Sequence, residues 1–300
     1  MILTLNQMVE KVLSVKRKYR VAVAWAQDPY TIGAIHRTVS EGFTDATLIG
    51  RSSEIINTCR SEEIDENLFQ IVEADDDSIA SSMAVGMVKN GQADIVMKGL
   101  VGTDIFLKSV MDRENGLMLP GAVLSYVGAI QIPAYHKLLF ITDPAVIPYP
   151  NLDQKVSMVS YAVDMAHRFG IPKPKVALIA ASEKRGKHFS SSADYSTLVE
   201  KAEKGEIKDC IIDGPLDLFL ACDKSSVEIK GIKTPVNGEA DILMFPSLES
   251  CNPFYKALML FARGELAGII RGTEKPVVVM SRSESSVSKY YCIGLACLMV

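Results

Sequence analysis

Short apolar runs alternate with helix-like segments along most of the chain. Runs such as VAVAWA and ATLIG are separated by segments such as TIGAIHRTVSEG, in which apolar residues recur at helical spacing. This alternation predicts an α/β fold, with largely parallel strands that helices cover on both faces. After Met111 the rhythm changes to VLSYVGAIQI and KLLFITD, two strand-like runs that predict a hairpin.

A proline-rich segment, TDPAVIPYP, breaks the series and predicts a crossing between two domains. The amphipathic segment after it predicts a helix that Asn151 caps, because a short polar side chain can accept hydrogen bonds from the first free amides. Gly170 marks the predicted end of that helix. A second alternating series then runs from KVALIAAS to KPVVVMS and ends in a final helix.

Composition excludes several classes of function. The chain has 300 residues and a formal net charge of -4, which argues against nucleic-acid binding because that needs clustered Lys and Arg in excess. No segment reaches the roughly 20 apolar residues of a membrane span, and the start lacks the order of a signal peptide. We therefore expect a cytoplasmic protein that binds neither nucleic acid nor a membrane.

The cysteine and histidine residues do not show the spacing of a metal site. The six cysteines form no CxxC pair, and the four histidines lie far apart without metal-ligand spacing. We interpret the cysteines as reduced core residues and expect no metal.

Polar residues just past the carboxyl ends of predicted strands form the candidate site, because such turns converge at the crevice of a doubly wound sheet. They are Lys98, Gly99, Thr103, Ser182, Lys184, Asp213, Glu249, Asn252, Ser281, Arg282 and Glu284. The segment VVVMSRSESS places an arginine among small hydroxyl side chains, which suits an anionic ligand but also a solvated turn. Asp213 lies in Asp-Gly-Pro, which is also turn chemistry, and Glu249 is equally a surface charge.

The segment MKGLVGTDIFLK predicts a strand, a Gly-rich turn and a helix, with Thr103 as a cap and Lys108 about one turn further in. Backbone amides at the helix start would bind phosphate oxygens, and Lys98 would supply a cation. An ordinary strand-to-helix turn explains the same pattern. No Walker motif is present and no GxGxxG follows the first strand, which disfavours nucleotide hydrolysis and a Rossmann dinucleotide site.

An internal echo links the two series. GQADIVMKG, from Gly91, and GEADILMFP, from Gly238, share the pattern G-x-A-D-I-apolar-M. Either both segments follow a sequence pattern that parallel strands commonly share, or the chain has two similar halves that each direct a loop toward one cleft.

Five ordered motifs resemble one family. MKGLVGTDIFLK, KVALIAASEK, IIDGPLDLFLA, NGEADILMFPSLESCNPFYKAL and KPVVVMSRSESS together resemble the phosphate acetyltransferase and phosphate butyryltransferase family, most closely its butyryltransferase branch. The resemblance implies two α/β/α domains of the isocitrate and isopropylmalate dehydrogenase-like type, with the active cleft between them. It also implies that the chain's end returns to the first domain. We therefore expect a first domain of residues 1–147 plus 274–300 and a second of residues 148–273.

The resemblance also implies an activity, a reversible transfer of a short-chain acyl group, preferably butyryl, between coenzyme A and inorganic phosphate. Coenzyme A is then a substrate, no cofactor or metal takes part, and the protein forms homodimers or larger homo-oligomers. Ser281 and Arg282 match the family's Ser-Arg pair, in which Arg binds phosphate and Ser helps to position the thiol or the acyl carbonyl. Lys108 stands where acetyltransferases carry a second phosphate-binding arginine, although Lys lacks the bidentate fork.

The expected base departs from the acetyltransferase pattern. Acetyltransferases have an Asp seven residues past the serine, where this chain has Ser288, so the nearest carboxylate, Glu284, becomes the candidate base. The site implied by the resemblance thus has catalytic Ser281, Arg282 and Glu284. Phosphate or coenzyme A would contact Lys98, Gly99, Thr103, Lys108, Ser182, Lys184 and Asn252.

Three other functions stay open. A phosphate acetyltransferase would share the motifs, and a non-catalytic coenzyme A- or anion-binding relative would fit the missing Asp at position 288. A decarboxylating or hydroxy-acid dehydrogenase on the related fold would need an acidic metal cluster and a nucleotide turn, neither of which the sequence contains.

Overall fold

A computed structural model describes residues 1–184, 186, 192–281 and 284–300 of the chain. The chain forms two compact units. The first unit comprises Leu5–Ala122 and Leu266–Val300, and the second comprises Met1–Thr4 and Val123–Glu265. Each unit joins segments that are distant in sequence, and the carboxyl-terminal segment returns to the first unit.

The first unit is built on a largely parallel sheet. Its strands are β1 (Tyr19–Ala24), β2 (Thr44–Gly50), β3 (Gln70–Glu73), β4 (Ile95–Lys98), β10 (Glu265–Arg271) and β11 (Val277–Val278). They lie in the order β3-β2-β1-β4-β11-β10, and only β10 runs antiparallel to its neighbour β11. Its helices are α1 (Leu5–Ser14), α2 (Pro29–Ser40), α3 (Ser52–Ser61), α4 (Asp77–Lys89), α5 (Thr103–Val110) and α11 (Ser286–Met299), with a short 3-10 helix at Glu66–Leu68.

The second unit contains five strands. Its strands are β5 (Ser125–Gln131), β6 (Leu139–Thr142), β7 (Lys175–Ile179), β8 (Ile211–Leu216) and β9 (Ile242–Met244). They lie in the order β5-β6-β9-β7-β8, with β5 antiparallel to β6 and the rest parallel. Its helices are α6 (Leu152–Arg168), α7 (Ser192–Glu203), α8 (Leu218–Cys222), α9 (Lys224–Lys230) and α10 (Leu248–Phe261).

The predicted α/β architecture with mostly parallel strands is confirmed. The hairpin predicted after Met111 is the antiparallel pair β5 and β6. Asn151 caps α6 as predicted, in a capping box with Gln154, and Gly170 follows the helix with φ of +83°. In contrast, Asp213 lies inside β8 and not in a turn past its end, because β8 pairs with β7 on both sides of it.

The unit boundaries fall at residues 122/123 and 265/266, whereas the sequence placed domain boundaries at 147/148 and 273/274. The difference arises from long-range pairing. Strand β6 pairs in parallel with β9, with Phe140 opposite Ile242, so the hairpin packs with strands that follow it by about a hundred residues. The proline-rich segment after β6 therefore lies within the second unit.

Burial explains why the central strands of the first unit are apolar. Strand β4 is buried at all four positions, and β1 at every position except Arg20, as expected for parallel strands with helices on both faces. Helix α11 confirms the final helix predicted from the sequence, and it is almost wholly buried. Among the described residues, no helix is both long and apolar enough to cross a membrane.

Candidate functional site

Two turns meet at one edge of the first unit's sheet. Strand β4 and strand β11 are parallel neighbours, with Val96 opposite Val277 and Met97 opposite Val278. Their carboxyl ends therefore lie side by side, and the turns that follow them are neighbours as well. The first turn begins at Lys98, and the second contains Ser281 and Glu284.

Lys98 is a buried cation that stabilises its own turn. The residue is 2% exposed, and its Nζ donates to the carbonyl oxygens of Gly99 at 3.1 Å and Val101 at 2.9 Å. The predicted positive charge is thus present directly beneath the turn. Its ammonium hydrogens are directed at turn carbonyls, which fixes the turn's shape.

Gly99 is required for the close approach of the β4 turn to the end of β1. A Cβ atom at position 99 would lie 2.5 Å from the carbonyl oxygen of Trp25 and 2.8 Å from that of Ala24. The amide of Gly99 donates to Ala24 at 2.8 Å, and that of Leu100 donates to Trp25 at 2.9 Å. These two amides therefore tie the turn to β1 and do not face a ligand, a detail that the sequence pattern did not predict.

The sequence predicted Thr103 as the cap of α5, but the structure places Thr103 as the first residue of the helix. Gly102 occupies the N-cap position, and no side chain caps the helix there, because glycine has no side chain that could accept from the first amides. Thr103 is exposed. Lys108 lies further along α5, is also exposed, and lines a cavity of about 190 Å³ together with Ser82, Ser109 and Asp112.

The second turn contains the predicted serine and carboxylate. Ser281 is exposed and Glu284 is half-buried, and the Glu284 amide donates to the Ser281 carbonyl at 3.2 Å. Arg282, the predicted phosphate ligand, lies outside the described residues. Ser288, at the position of the acetyltransferase Asp, is buried in the first turn of α11, and its amide donates to the Ser285 hydroxyl that caps the helix.

Lys289 is a site residue that the sequence reasoning missed. It is 3% exposed, and its Nζ lies 3.4 Å from each of the carbonyl oxygens of Ser281 and Glu284, to which it donates. Its signal in the sequence is a single lysine in an otherwise uncharged, largely apolar helix, SVSKYYCIGLACLM. A charged residue in such a helix is expected only where it has partners.

The remaining predicted residues belong to the second unit. Ser182 follows β7, and its hydroxyl accepts from the amide of Lys184 at 3.2 Å, so the two form a local turn in which Lys184 is exposed. Asn252, on α10, donates through Nδ2 to the carbonyl of Pro144 at 2.8 Å. Its amide thereby ties α10 to the loop after β6.

The loop after β6 is stabilised by a buried carboxylate. Asp143 is 1% exposed and accepts from the amides of Tyr126, Ala145 and Val146. Burial raises the pKa of Asp143, although the bonds from Ala145, Val146 and Tyr126 act in the opposite direction. The carboxylate thus has a role in the fold of this loop.

Four of the six cysteines are core residues, and the other two are partly exposed. Cys59, Cys251, Cys292 and Cys297 are buried. Burial raises the pKa of the Cys210 and Cys222 thiols to about 11, and raises that of Cys251 well above its usual value. Thiols with such pKa values are protonated near neutral pH and poor nucleophiles. No group of His, Cys, Asp and Glu that could hold a metal ion occurs among the described residues.

Comparison with known proteins gives one consistent family. A model of the phosphate acetyl/butaryl transferase family matches residues 78–297. The chain belongs to this family. The match confirms the resemblance stated from the five motifs, and with it the prediction of a transferase enzyme.

Individual members are similar over nearly their whole length. The phosphate butyryltransferase of Clostridium acetobutylicum is 38% identical over 299 residues, which cover 100% of this chain and 99% of that protein. The phosphate acetyltransferase of Thermotoga maritima is 34% identical over 277 residues, 92% of this chain and 94% of its own. A branched-chain phosphotransacylase from Enterococcus faecalis V583 has a similar structure, with a TM-score of 0.82 at 29% identity over 93% of this chain and 98% of its own.

Proposed function

We propose that this enzyme moves a short-chain acyl group reversibly between coenzyme A and inorganic phosphate, with butyryl as the preferred group. The observation that carries the proposal is the 38% identity to a phosphate butyryltransferase across the full length of both chains. Coenzyme A is a substrate in this scheme, and no cofactor or metal takes part. We expect the enzyme to act in the cytoplasm as a homodimer or larger homo-oligomer, without nucleic acid or membrane as a partner.

The turn after β11 is the proposed centre of the reaction. The thiol of coenzyme A has a pKa near that of cysteine, about 8.5, so it must lose its proton before it attacks an acyl phosphate. Glu284 is the proposed base, because it is half-buried and lies in the same turn as Ser281. Its carboxylate accepts the thiol proton.

Bond changes then follow at the acyl carbon. The thiolate sulfur forms a bond to the carbonyl carbon, the bond from that carbon to the phosphate oxygen breaks, and phosphate leaves with the electron pair. In the reverse direction a phosphate oxygen attacks the acyl-CoA carbonyl and the thiolate leaves. The Ser281 hydroxyl is the proposed donor to the carbonyl oxygen as it gains negative charge.

Positive charge is proposed to hold the phosphate. Arg282 is the principal ligand by its match to the family's Ser-Arg pair. Lys98 contributes a buried charge beneath the neighbouring turn, and the uncapped start of α5 adds the positive end of a helix. Lys108, Ser182, Lys184 and Asn252 are proposed to contact phosphate or coenzyme A further from the reacting atoms.

Release of free thiol from coenzyme A esters tests the proposal. Acetyl-, propionyl-, butyryl- and isobutyryl-CoA are each incubated with the enzyme, with potassium phosphate or with potassium chloride at equal ionic strength. Phosphate-dependent release that is fastest with butyryl-CoA is the expected result. Fastest release with acetyl-CoA would reassign the enzyme as a phosphate acetyltransferase, and no phosphate dependence with any ester would contradict the proposed reaction.

A further inference from the structure

A surface cavity of about 190 Å³ lies between helices α4 and α5 of the first unit. Val85 of α4 and Ile105 of α5 give it an apolar part. Ser82 and Ser109 bring the two helices together, with their Oγ atoms 3.4 Å apart. Pockets that hold a whole drug-sized ligand measure about 300–1,000 Å³, so this cavity suits a smaller molecule.

Two opposite charges line this cavity without pairing with each other. They belong to Lys108 and Asp112, which are both exposed. In the part of the chain that the structure describes, neither residue takes part in an ion pair, whereas Arg37 and Glu41, at the same spacing, pair at 2.9 Å. Asp112 lies past the end of α5 at Val110, which separates the two charges. Both charges are therefore available to a ligand in the cavity.

The position of Asp112 is fixed by the turn that follows α5. Its Oδ1 accepts from the amides of Asn115 at 2.7 Å and Glu114 at 3.0 Å. These hydrogen bonds lower the pKa of Asp112, so its carboxyl group is ionised near neutral pH. A Cβ atom at Gly116 would collide with the carbonyl oxygen of Asp112, so the turn requires a glycine there. The carboxylate is thus held at the cavity before any ligand binds.

The two charges select the class of ligand. A phosphate dianion would be attracted by Lys108 but repelled by the Asp112 carboxylate in the same small cavity. An α-amino acid carries one carboxylate and one ammonium group near neutral pH, so it matches both charges at once. An aliphatic side chain would then contact Val85 and Ile105, which removes apolar surface from water. A zwitterion with an aliphatic side chain therefore fits the cavity better than a phosphorylated ligand.

We propose that the cavity between α4 and α5 binds an aliphatic α-amino acid, with its carboxylate on Lys108 and its ammonium group on Asp112. Its side chain lies against Val85 and Ile105. Lys108 is also a proposed contact of phosphate or coenzyme A, so a bound amino acid competes for the same ammonium group. This link to activity rests on the proposed function, whereas binding is measurable without turnover.

Thermal stabilisation by L-leucine is the first measurement. The unfolding midpoint of the full chain is recorded with increasing L-leucine, and the dependence gives an apparent Kd. Leucinamide, which lacks the carboxylate, and 4-methylpentanoate, which lacks the ammonium group, are the matched probes, with potassium chloride added to equal ionic strength. We expect each to bind about 10- to 100-fold more weakly than L-leucine, because each loses one charge-assisted contact.

Asp112→Asn tests the group that the ammonium would contact. Asparagine can still accept from the amides of Glu114 and Asn115 through its carbonyl oxygen, but it carries no charge. We expect its apparent Kd for L-leucine to rise about 10- to 100-fold. Glu114→Gln is the control, because Glu114 is exposed in the same turn, is not among the residues that line the cavity and loses the same charge. Its Kd should equal that of the wild-type protein.

Competition for Lys108 is measured in the thiol-release assay. L-leucine should raise the KM for phosphate or for butyryl-CoA in the wild-type protein, and much less in Asp112→Asn. L-leucine binding that leaves both KM values unchanged would overturn the competition.

Binding itself has separate outcomes that overturn it. They are no saturable stabilisation by L-leucine, equal Kd values for the wild-type protein and Asp112→Asn, and stabilisation by ribose 5-phosphate where L-leucine has no effect. If Asp112→Asn does not fold, leucinamide and 4-methylpentanoate decide alone, and binding as tight as that of L-leucine by either would refute the proposed contacts. L-leucine binding that depends on Asp112, without any thiol release from coenzyme A esters, would refute the proposed reaction and leave the amino-acid site standing.

Discussion

Strands β4 and β9 begin alike, although they belong to different units. The amide of Asp94 donates to the carbonyl of Arg20 at 2.8 Å, and its carboxylate accepts the Arg20 amide at 2.9 Å. Asp241 makes the same pair of bonds to Lys175, at 2.9 Å and 2.8 Å. The glycines three residues earlier, Gly91 and Gly238, have φ of +71° and +70°.

The carboxyl ends of the same two strands differ in chemistry. Strand β4 ends in Lys98, a buried cation, and is followed by Gly99, which has no side chain. Strand β9 is followed by Phe245, which is 3% exposed and packs on Phe254 with ring centroids 4.9 Å apart. The repeated sequence pattern thus marks a repeated way of starting a parallel strand, while Lys98 and Gly99 of the proposed anion site have no counterpart after β9.

The largest expected effect tests which unit supplies the base. Glu284 follows β11 in the first unit, and Glu249 follows β9 in the second. Glu284→Gln removes the proposed base and should lower kcat about 10²- to 10⁴-fold, the usual contribution of general-base catalysis.

Glu249→Gln is the matched control, because Glu249 is exposed and should be replaceable with little effect on kcat. Steady-state thiol release at saturating phosphate measures both variants. Equal kcat values for the two would remove Glu284 from the mechanism.

The two glycines should respond differently to the same change. A Cβ at position 91 meets no atom within 4 Å, so Gly91→Ala should cost about 1–2 kcal/mol, the penalty of left-handed backbone alone. A Cβ at position 238 would collide with backbone atoms of Asp223 and Lys224. Gly238→Ala should therefore cost about 3–5 kcal/mol, because overpacking adds to the same penalty. Urea unfolding measures both, and equal losses would show that the turns are not held as described.

Substitutions at the carboxyl ends of β4 and β9 should differ in their effect on activity, and this difference is smaller than the preceding ones. Lys98→Met removes the charge beneath the β4 turn and its bonds to Gly99 and Val101, so we expect kcat/KM for phosphate to fall about 10- to 100-fold. Phe245→Met, at the corresponding position after β9, should lower stability by about 1 kcal/mol and leave kcat/KM near the wild-type value. A similar loss of activity in both variants would show that the two strand ends share the site.

Local signals in the sequence predicted local structure well. The Asn151 cap and the turn after β4 are each specified by neighbouring residues, because caps and turns depend on a few adjacent dihedral angles. The pairing of β6 with β9 was not predictable in this way, since it joins segments about a hundred residues apart. The roles of Gly99 and Lys289 depend on which carbonyl oxygens the fold brings near them, and residue type alone does not state that.

The smallest expected effect concerns the amino end of β4. Burial would raise the pKa of Asp94, but hydrogen bonds from the side chain and amide of Arg20, with the charges of Arg20 and Arg17, outweigh burial and lower it. A carboxyl group with a lowered pKa in the folded state stabilises the fold above its unfolded pKa of about 3.9, and this contribution is lost as the pH falls through the folded value.

Asp94→Asn should therefore lower the free energy of unfolding by about 1–2 kcal/mol at neutral pH, and the difference from wild type should shrink as the pH falls below about 4. The control is Asp45→Asn, since Asp45 pairs with Lys18 at an exposed position and should cost no more than about 1 kcal/mol. Urea unfolding across the acid range measures both. A difference for Asp94→Asn that stays constant with pH would mean that the amide bond to Arg20, and not the charge, is what makes the two strand starts equivalent.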